Sequence, residues 1–170
     1  PHQEDVCAQI EDIFRSGSGN FLVQMPTGSG KTRTMVDALA NCWVDALGRG
    51  CIIWLAHSEE LCEQAAGTIR RVWCARAKEP AKLVRLFGNH EPNPIEIAGA
   101  IVVASVQKVY QRIQSGASIT TFMRNRAHAV VFDEAHQALA PSYLSAIEFL
   151  TEKEAPLGGL SATPGRGVVG

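Results

Sequence analysis

Long apolar runs are missing from this chain of 170 residues. None approaches the roughly 18 residues that cross a bilayer, and no basic stretch followed by an apolar one opens the sequence, so neither a spanning helix nor secretion is indicated. Aromatic residues are scarce at 6%. The five cysteines, Cys7, Cys42, Cys51, Cys62 and Cys74, are odd in number and form no CxxC pair. That pattern argues against a disulfide framework or a zinc site and for reduced, mostly buried thiols in a cytoplasmic protein. An excess of charge is missing too. The formal net charge is -1, so the total by itself does not recommend a nucleic-acid partner.

What is present is an ordinary apolar content of 46% with 19% charged residues, enough for one packed domain. Charge is unevenly spread. Between Arg70 and Phe132 ten basic residues face three acidic ones, which leaves the remainder acidic. Such asymmetry suits a phosphate-binding face, and it equally suits solvated helix faces and loops.

The apolar pattern alternates. Residues 3–16 carry Val6, Ile10, Ile13 and Phe14 at helical spacing, and residues 21–25 form an apolar strand. A glycine turn at 28–30 then leads into a helix from Lys31 to about Leu47. Further strands are predicted at 51–56, 83–87, 100–104, 127–132 and 157–161. Helices follow Ser58, span about 106–114, and cover 142–150. Residues 88–94 read as a turn-rich connection, and 115–126 as either a surface loop or a short helix. Near-continuous apolar strands separated by helices predict an α/β fold, a doubly wound, mostly parallel sheet with helices on both faces.

Two motifs carry chemistry. Met25-Pro26-Thr27-Gly28-Ser29-Gly30-Lys31-Thr32 lies between a strand and a helix, the setting a phosphate-binding P-loop requires. Thr27, Gly28, Ser29 and Gly30 would wrap backbone N–H groups around phosphate oxygens. Lys31 would reach the β and γ phosphates of ATP, and the Thr32 hydroxyl would ligate Mg²⁺. Met25 stands where the general pattern has glycine. The second motif, Asp133-Glu134-Ala135-His136, follows an apolar strand. Asp133 would hold Mg²⁺, and Glu134 would orient and polarise the attacking water. A DE pair alone is commonly a solvated helix start; the upstream P-loop is what favours the catalytic reading.

In this order the motifs resemble those of superfamily 2 DEAD/DEAH-box helicases, first RecA-like domain, in the Res-subunit and RadD-like branch. MPTGSGKT resembles motif I, where methionine often replaces the first glycine, DEAH at 133–136 resembles motif II, and LSATP at 160–164 resembles motif III. The resemblance implies that His136, Ser161 and Thr163 couple nucleotide state to nucleic acid. It makes Gln3, after Pro1 and His2, a candidate to read adenine, with a surface helix glutamine as the alternative. LAHSEELCEQ at 55–64 is similar to motif Ia, which offers His57, Ser58 and Gln64 to nucleic acid. Ala104-Ser105-Val106-Gln107 resembles the TxxQ element with serine for threonine, which offers Ser105 and Gln107. Ser58 as a plain N-cap and Gln107 as a solvated side chain remain open readings.

The implied function is an ATP-binding motor domain of a DNA helicase or translocase, with RNA helicase as the runner-up and a non-catalytic nucleotide-binding scaffold as the other alternative. No NKxD sequence supports a GTPase. The implied partners are DNA or RNA and a second RecA-like domain carrying arginine fingers. The ends at Pro1 and Gly170 read as the boundaries of a fragment, residues 1–170 being the helicase ATP-binding domain alone.

Overall fold

A computed structural model describes residues 2–26, 28, 30–46, 50–77, 80–135 and 140–162, without the side chains of residues 2, 3 and 43–46. In chain order the elements are α1 (His2–Ser16), β1 (Asn20–Gln24), α2 (Lys31–Ala46), β2 (Cys51–Ala56), α3 (Glu59–Arg76) and β3 (Lys82–Leu86). They continue with β4 (Ala100–Ser105), α4 (Val106–Gln114), α5 (Ser118–Arg126), β5 (Ala127–Asp133), α6 (Pro141–Thr151) and β6 (Leu157–Ser161). The stretch open to two readings, 115–126, is largely the helix α5, because Ile119 and Met123, one turn apart, are buried on one face.

The strands form one sheet in the order β1-β6-β5-β2-β4-β3, and every pairing is parallel. The central strands β2 and β4 are buried at every position, as their unbroken apolar sequences require, whereas the edge strands β1 and β3 are partly exposed. Alternate residues feed two cores. Ile52, Trp54, Val103 and Val131 pack with Phe14 of α1, Met35 of α2 and Ile69 of α3. Ile53, Leu55, Val102 and Phe132 pack with Val109 of α4, Met123 of α5 and Leu150 of α6. This is the doubly wound α/β sandwich that the alternation predicted, all-parallel among the described residues.

Gly50, just before β2, is buried where a Cβ would lie 2.0 Å from the His128 ring and 2.8 Å from the Arg126 carbonyl oxygen. The ring can swing away, but the backbone oxygen cannot. Gly50→Ala is therefore expected to lose about 1–3 kcal/mol of stability to overpacking, read as a shift in urea midpoint.

Burial also sets the cysteine chemistry. It pushes the Cys51 and Cys62 thiols up to about 12 and Cys7 to about 11, so these three stay protonated and unreactive. Among the described residues no helix is long and apolar enough to cross a membrane, and no His/Cys/Asp/Glu cluster is arranged as a metal cage.

Candidate functional site

A parallel sheet puts the carboxyl ends of all its strands at one edge, and ligands of open α/β sheets bind there. At this edge β1 runs into Met25, whose N–H donates to the Ser161 carbonyl oxygen at 3.2 Å. The Met25 side chain is buried in the core beside α1 and α2. The departure from glycine at this position is thus a packing feature, and the end of β6 is tied to the approach to the glycine turn.

Gly28 and Gly30 have φ of 77° and 87°, left-handed values that glycine adopts without strain. A Cβ on Gly28 would meet nothing within 4 Å, so the turn borders open space. α2 starts at Lys31, whose side chain is buried, and Thr34 closes the first turn by donating its N–H to the Gly30 oxygen at 2.9 Å. A helix N-terminus with its free N–H groups and positive dipole end stands at the turn. Beside it lies a cavity of about 610 Å³ lined by Glu4 and Cys7 of α1, Gly28, Gly30, Arg33, Thr34, Asp37 and Asn41 along α2, and Arg76 of α3. That volume is typical of a small-molecule site.

Asp133 is the last residue of β5. Burial raises its carboxyl above the ordinary value, while the Glu134 N–H, donating to Oδ1 at 3.0 Å, and the Lys31 ammonium work against that rise. Glu134 itself has φ of 55°, a left-handed conformation uncommon for a branched-free acidic residue and a feature that collects at functional sites. This turn brings the Glu134 N–H back onto Asp133.

A carboxyl raised on folding loses stability as pH rises. The cost is absent below the unfolded carboxylate range and fully present above the raised value. Asp133→Asn is accordingly expected to raise the thermal midpoint of the nucleotide-free protein at neutral pH, with the gain disappearing in acid. A midpoint lowered at neutral pH would contradict the role of burial.

Ser161, the last residue of β6, is buried beside this edge. Thr32 is half-buried in the first turn of α2. Thr27, Ser29, His136, Thr163 and the Gln3 side chain lie outside the described residues.

Further along the same edge, at β2 and β4, stand the remaining candidates. Ser58 caps α3, its Oγ accepting from the Leu61 N–H at 3.2 Å, and Ser105 caps α4 through the Lys108 N–H at 3.4 Å. Both hydroxyls therefore do capping work. Gln107 is exposed, and Gln64 donates to Glu60 at 3.3 Å. His57 is exposed and its ring meets Tyr143 of α6, edge-on at 5.5 Å, with the Tyr143 hydroxyl on Nδ1. Tyr143 carries no motif signal in the sequence; only the fold brings it to His57.

The basic stretch is partly consumed internally. Arg85 pairs with Glu63 at 2.9 Å, Arg124 with Glu152 at 2.8 Å, and Lys108 and Arg112 share Glu91. Lys108 also donates to the Gly88 and His90 oxygens, both at 2.7 Å, which anchors the loop after β3 onto α4. Much of the positive excess read from the sequence is thus structural pairing.

The chain matches the family described as type III restriction enzyme, res subunit, over residues 1–166. It is 26% identical over 170 residues to a protein provisionally named ATP-dependent helicase IRC3 in Saccharomyces cerevisiae, covering 95% of this chain and 23% of that one. The fold superposes on the Hef helicase domain of Pyrococcus furiosus with a TM-score of 0.72 and 27% identity, over 98% of this chain and 33% of that one. A DEAD box protein from the hyperthermophile Methanococcus jannaschii shares the fold with a TM-score of 0.68 and 22% identity, over 93% and 43%. The chain thus spans about a quarter of the yeast relative's length and a third of the Hef chain.

Proposed function

Because the chain belongs to the type III restriction enzyme res-subunit family and is a superfamily 2 helicase RecA-like domain, we propose that it binds ATP with Mg²⁺ and couples hydrolysis to movement on DNA. The observation that carries this reading is the shared sheet edge. It gathers the glycine turn, Lys31, Asp133 and Glu134 at the carboxyl ends of β1 and β5, and a cavity of about 610 Å³ opens beside the turn along α2.

Their chemistry fits a nucleoside triphosphate. The backbone of the turn and the α2 N-terminus cradle phosphate oxygens, and Lys31 adds charge where it develops during transfer. The Thr32 hydroxyl and the Asp133 carboxylate are the oxygen donors Mg²⁺ takes. Bound Mg²⁺ supplies charge neutralisation at the phosphates. Glu134 polarises the water that attacks the γ phosphate and accepts its proton. Thr27 and Ser29 complete the loop, Gln3 reads the adenine, and His136, Ser161 and Thr163 couple the site to nucleic acid in the same proposal. His57, Ser58, Gln64, Ser105 and Gln107 then border the nucleic-acid path.

The proposal places a second RecA-like domain in the whole protein, in keeping with the 23% of the yeast relative that this chain spans. Arginine fingers from such a domain are worth about 10³ to 10⁵ in rate, so this chain alone is expected to hydrolyse ATP slowly. DNA is favoured over RNA by the resemblance of LAHSEELCEQ to the Res-subunit branch. The test is ATPase rate of the full-length protein with single-stranded DNA, duplex DNA and RNA in parallel. Stimulation by either DNA supports the reading, stimulation by RNA alone replaces it with an RNA helicase, and no ATP hydrolysis with any of the three leaves the non-catalytic nucleotide-binding scaffold.

A further inference from the structure

We propose that Trp54 is a positioning residue for Asp133, its buried indole N–H holding the carboxylate turned toward the sheet edge. The inference rests on the assignment of Asp133 to Mg²⁺ made above. Trp54 sits at the centre of β2 and is completely buried. It pairs in register with Val131 of the neighbouring strand β5. Asp133, two residues beyond Val131, lies on the same face of the sheet as Val131 and Trp54, because side chains alternate along a strand.

The indole Nε1 is buried and closes no hydrogen bond of regular geometry among the described residues. A buried N–H without an acceptor is costly, and large apolar residues that carry no such group fill the neighbouring positions Ile52, Ile53 and Leu55. The acceptor that the strand register offers on this face is the Asp133 carboxylate, two residues beyond Val131. The carboxyl torsion of aspartate is broad and roughly two-fold, so one donor does not set it. The Glu134 N–H holds Oδ1 from the loop side. The indole approaches from the strand side, and the two donors together restrict the rotor. Trp54 is sealed from the cavity, so it acts only through Asp133.

The test is equilibrium binding of a fluorescent ATP analogue to the full-length protein, titrated with Mg²⁺. Trp54→Phe keeps an aromatic ring and removes the N–H. It is expected to raise the Mg²⁺ concentration for half-maximal binding by roughly three- to tenfold, the net range of an ordinary hydrogen bond, with metal-free nucleotide binding unchanged. Asp133→Asn should remove most of the Mg²⁺ dependence, and adding Trp54→Phe to it should do nothing further. Should Asp133→Asn keep normal Mg²⁺ dependence, the metal assignment fails and the inference with it. Should Asp133→Asn lose it while Trp54→Phe matches wild type, Trp54 alone is refuted. If Trp54→Phe does not fold, fluorotryptophan-labelled protein decides. The Trp54 fluorine resonance, assigned as the one kept when every other tryptophan is replaced by Phe, should move in Asp133→Asn; a resonance that stays in place overturns the proposal.

Discussion

Glu134→Gln is expected to bind ATP and Mg²⁺ like the wild type and to hydrolyse ATP about 10² to 10⁴ times more slowly, the usual contribution of a positioned general base. The substitution is nearly isosteric. The backbone N–H of residue 134, which donates to Asp133 Oδ1 at 3.0 Å, is untouched, and the φ of 55° is no harder for glutamine than for glutamate. Lys31, the glycine turn and Asp133 all remain. What is lost is the ability to take a proton from water. Nucleotide affinity by equilibrium titration and turnover by phosphate release separate the two effects. Turnover within a few-fold of wild type would remove Glu134 from the chemistry, and a parallel loss of affinity would make it a binding residue.

The second large effect belongs to Lys31. Lys31→Ala is expected to slow hydrolysis by about 10² to 10³, the cost of removing one preorganised charge-stabilising group, and to weaken ATP binding as well. Affinity falls here and not in Glu134→Gln because the ammonium contacts phosphate in the ground state and the transition state alike. The same change removes a positive neighbour from Asp133, whose carboxyl should rise further and bind Mg²⁺ less readily. Stability at neutral pH should fall slightly, since the cost of the buried Asp133 carboxylate grows without that neighbour. Thermal melting without nucleotide, set beside ATP titration, checks both halves. Wild-type affinity and turnover in Lys31→Ala would end the P-loop reading.

Several parts of this site were legible without coordinates because they are local. The glycine turn needs φ values near 80°, which only glycine adopts freely, so MPTGSGKT announces its own geometry. The apolar runs CIIWLA and AIVVAS announce strands buried on both faces, and the sheet confirms it at every position of both. Met25 shows where local reading weakens. A pattern of spacings registers it as a mismatch, whereas the folded chain uses it as a core residue. The charge count weakened in the same way. Ten basic residues between 70 and 132 suggested a phosphate surface, yet Lys108 and Arg112 are spent on Glu91, and Arg85 and Arg124 on Glu63 and Glu152. Glu63 and Glu152 lie outside that stretch, so a count within it could not subtract them.

By itself, then, the sequence determined the elements, their parallel alternation and the identity of the residues at the strand ends, because propensity, period and turn chemistry act over a few neighbours. Only the tertiary structure decided which strand ends meet. The order β1-β6-β5-β2-β4-β3 ties Met25 to Ser161, sets Trp54 beside the strand that ends in Asp133, and brings Tyr143 onto His57. Such contacts join segments up to 136 residues apart, and their energy comes from sheet pairing and shared burial, quantities that exist only once the chain has closed on itself.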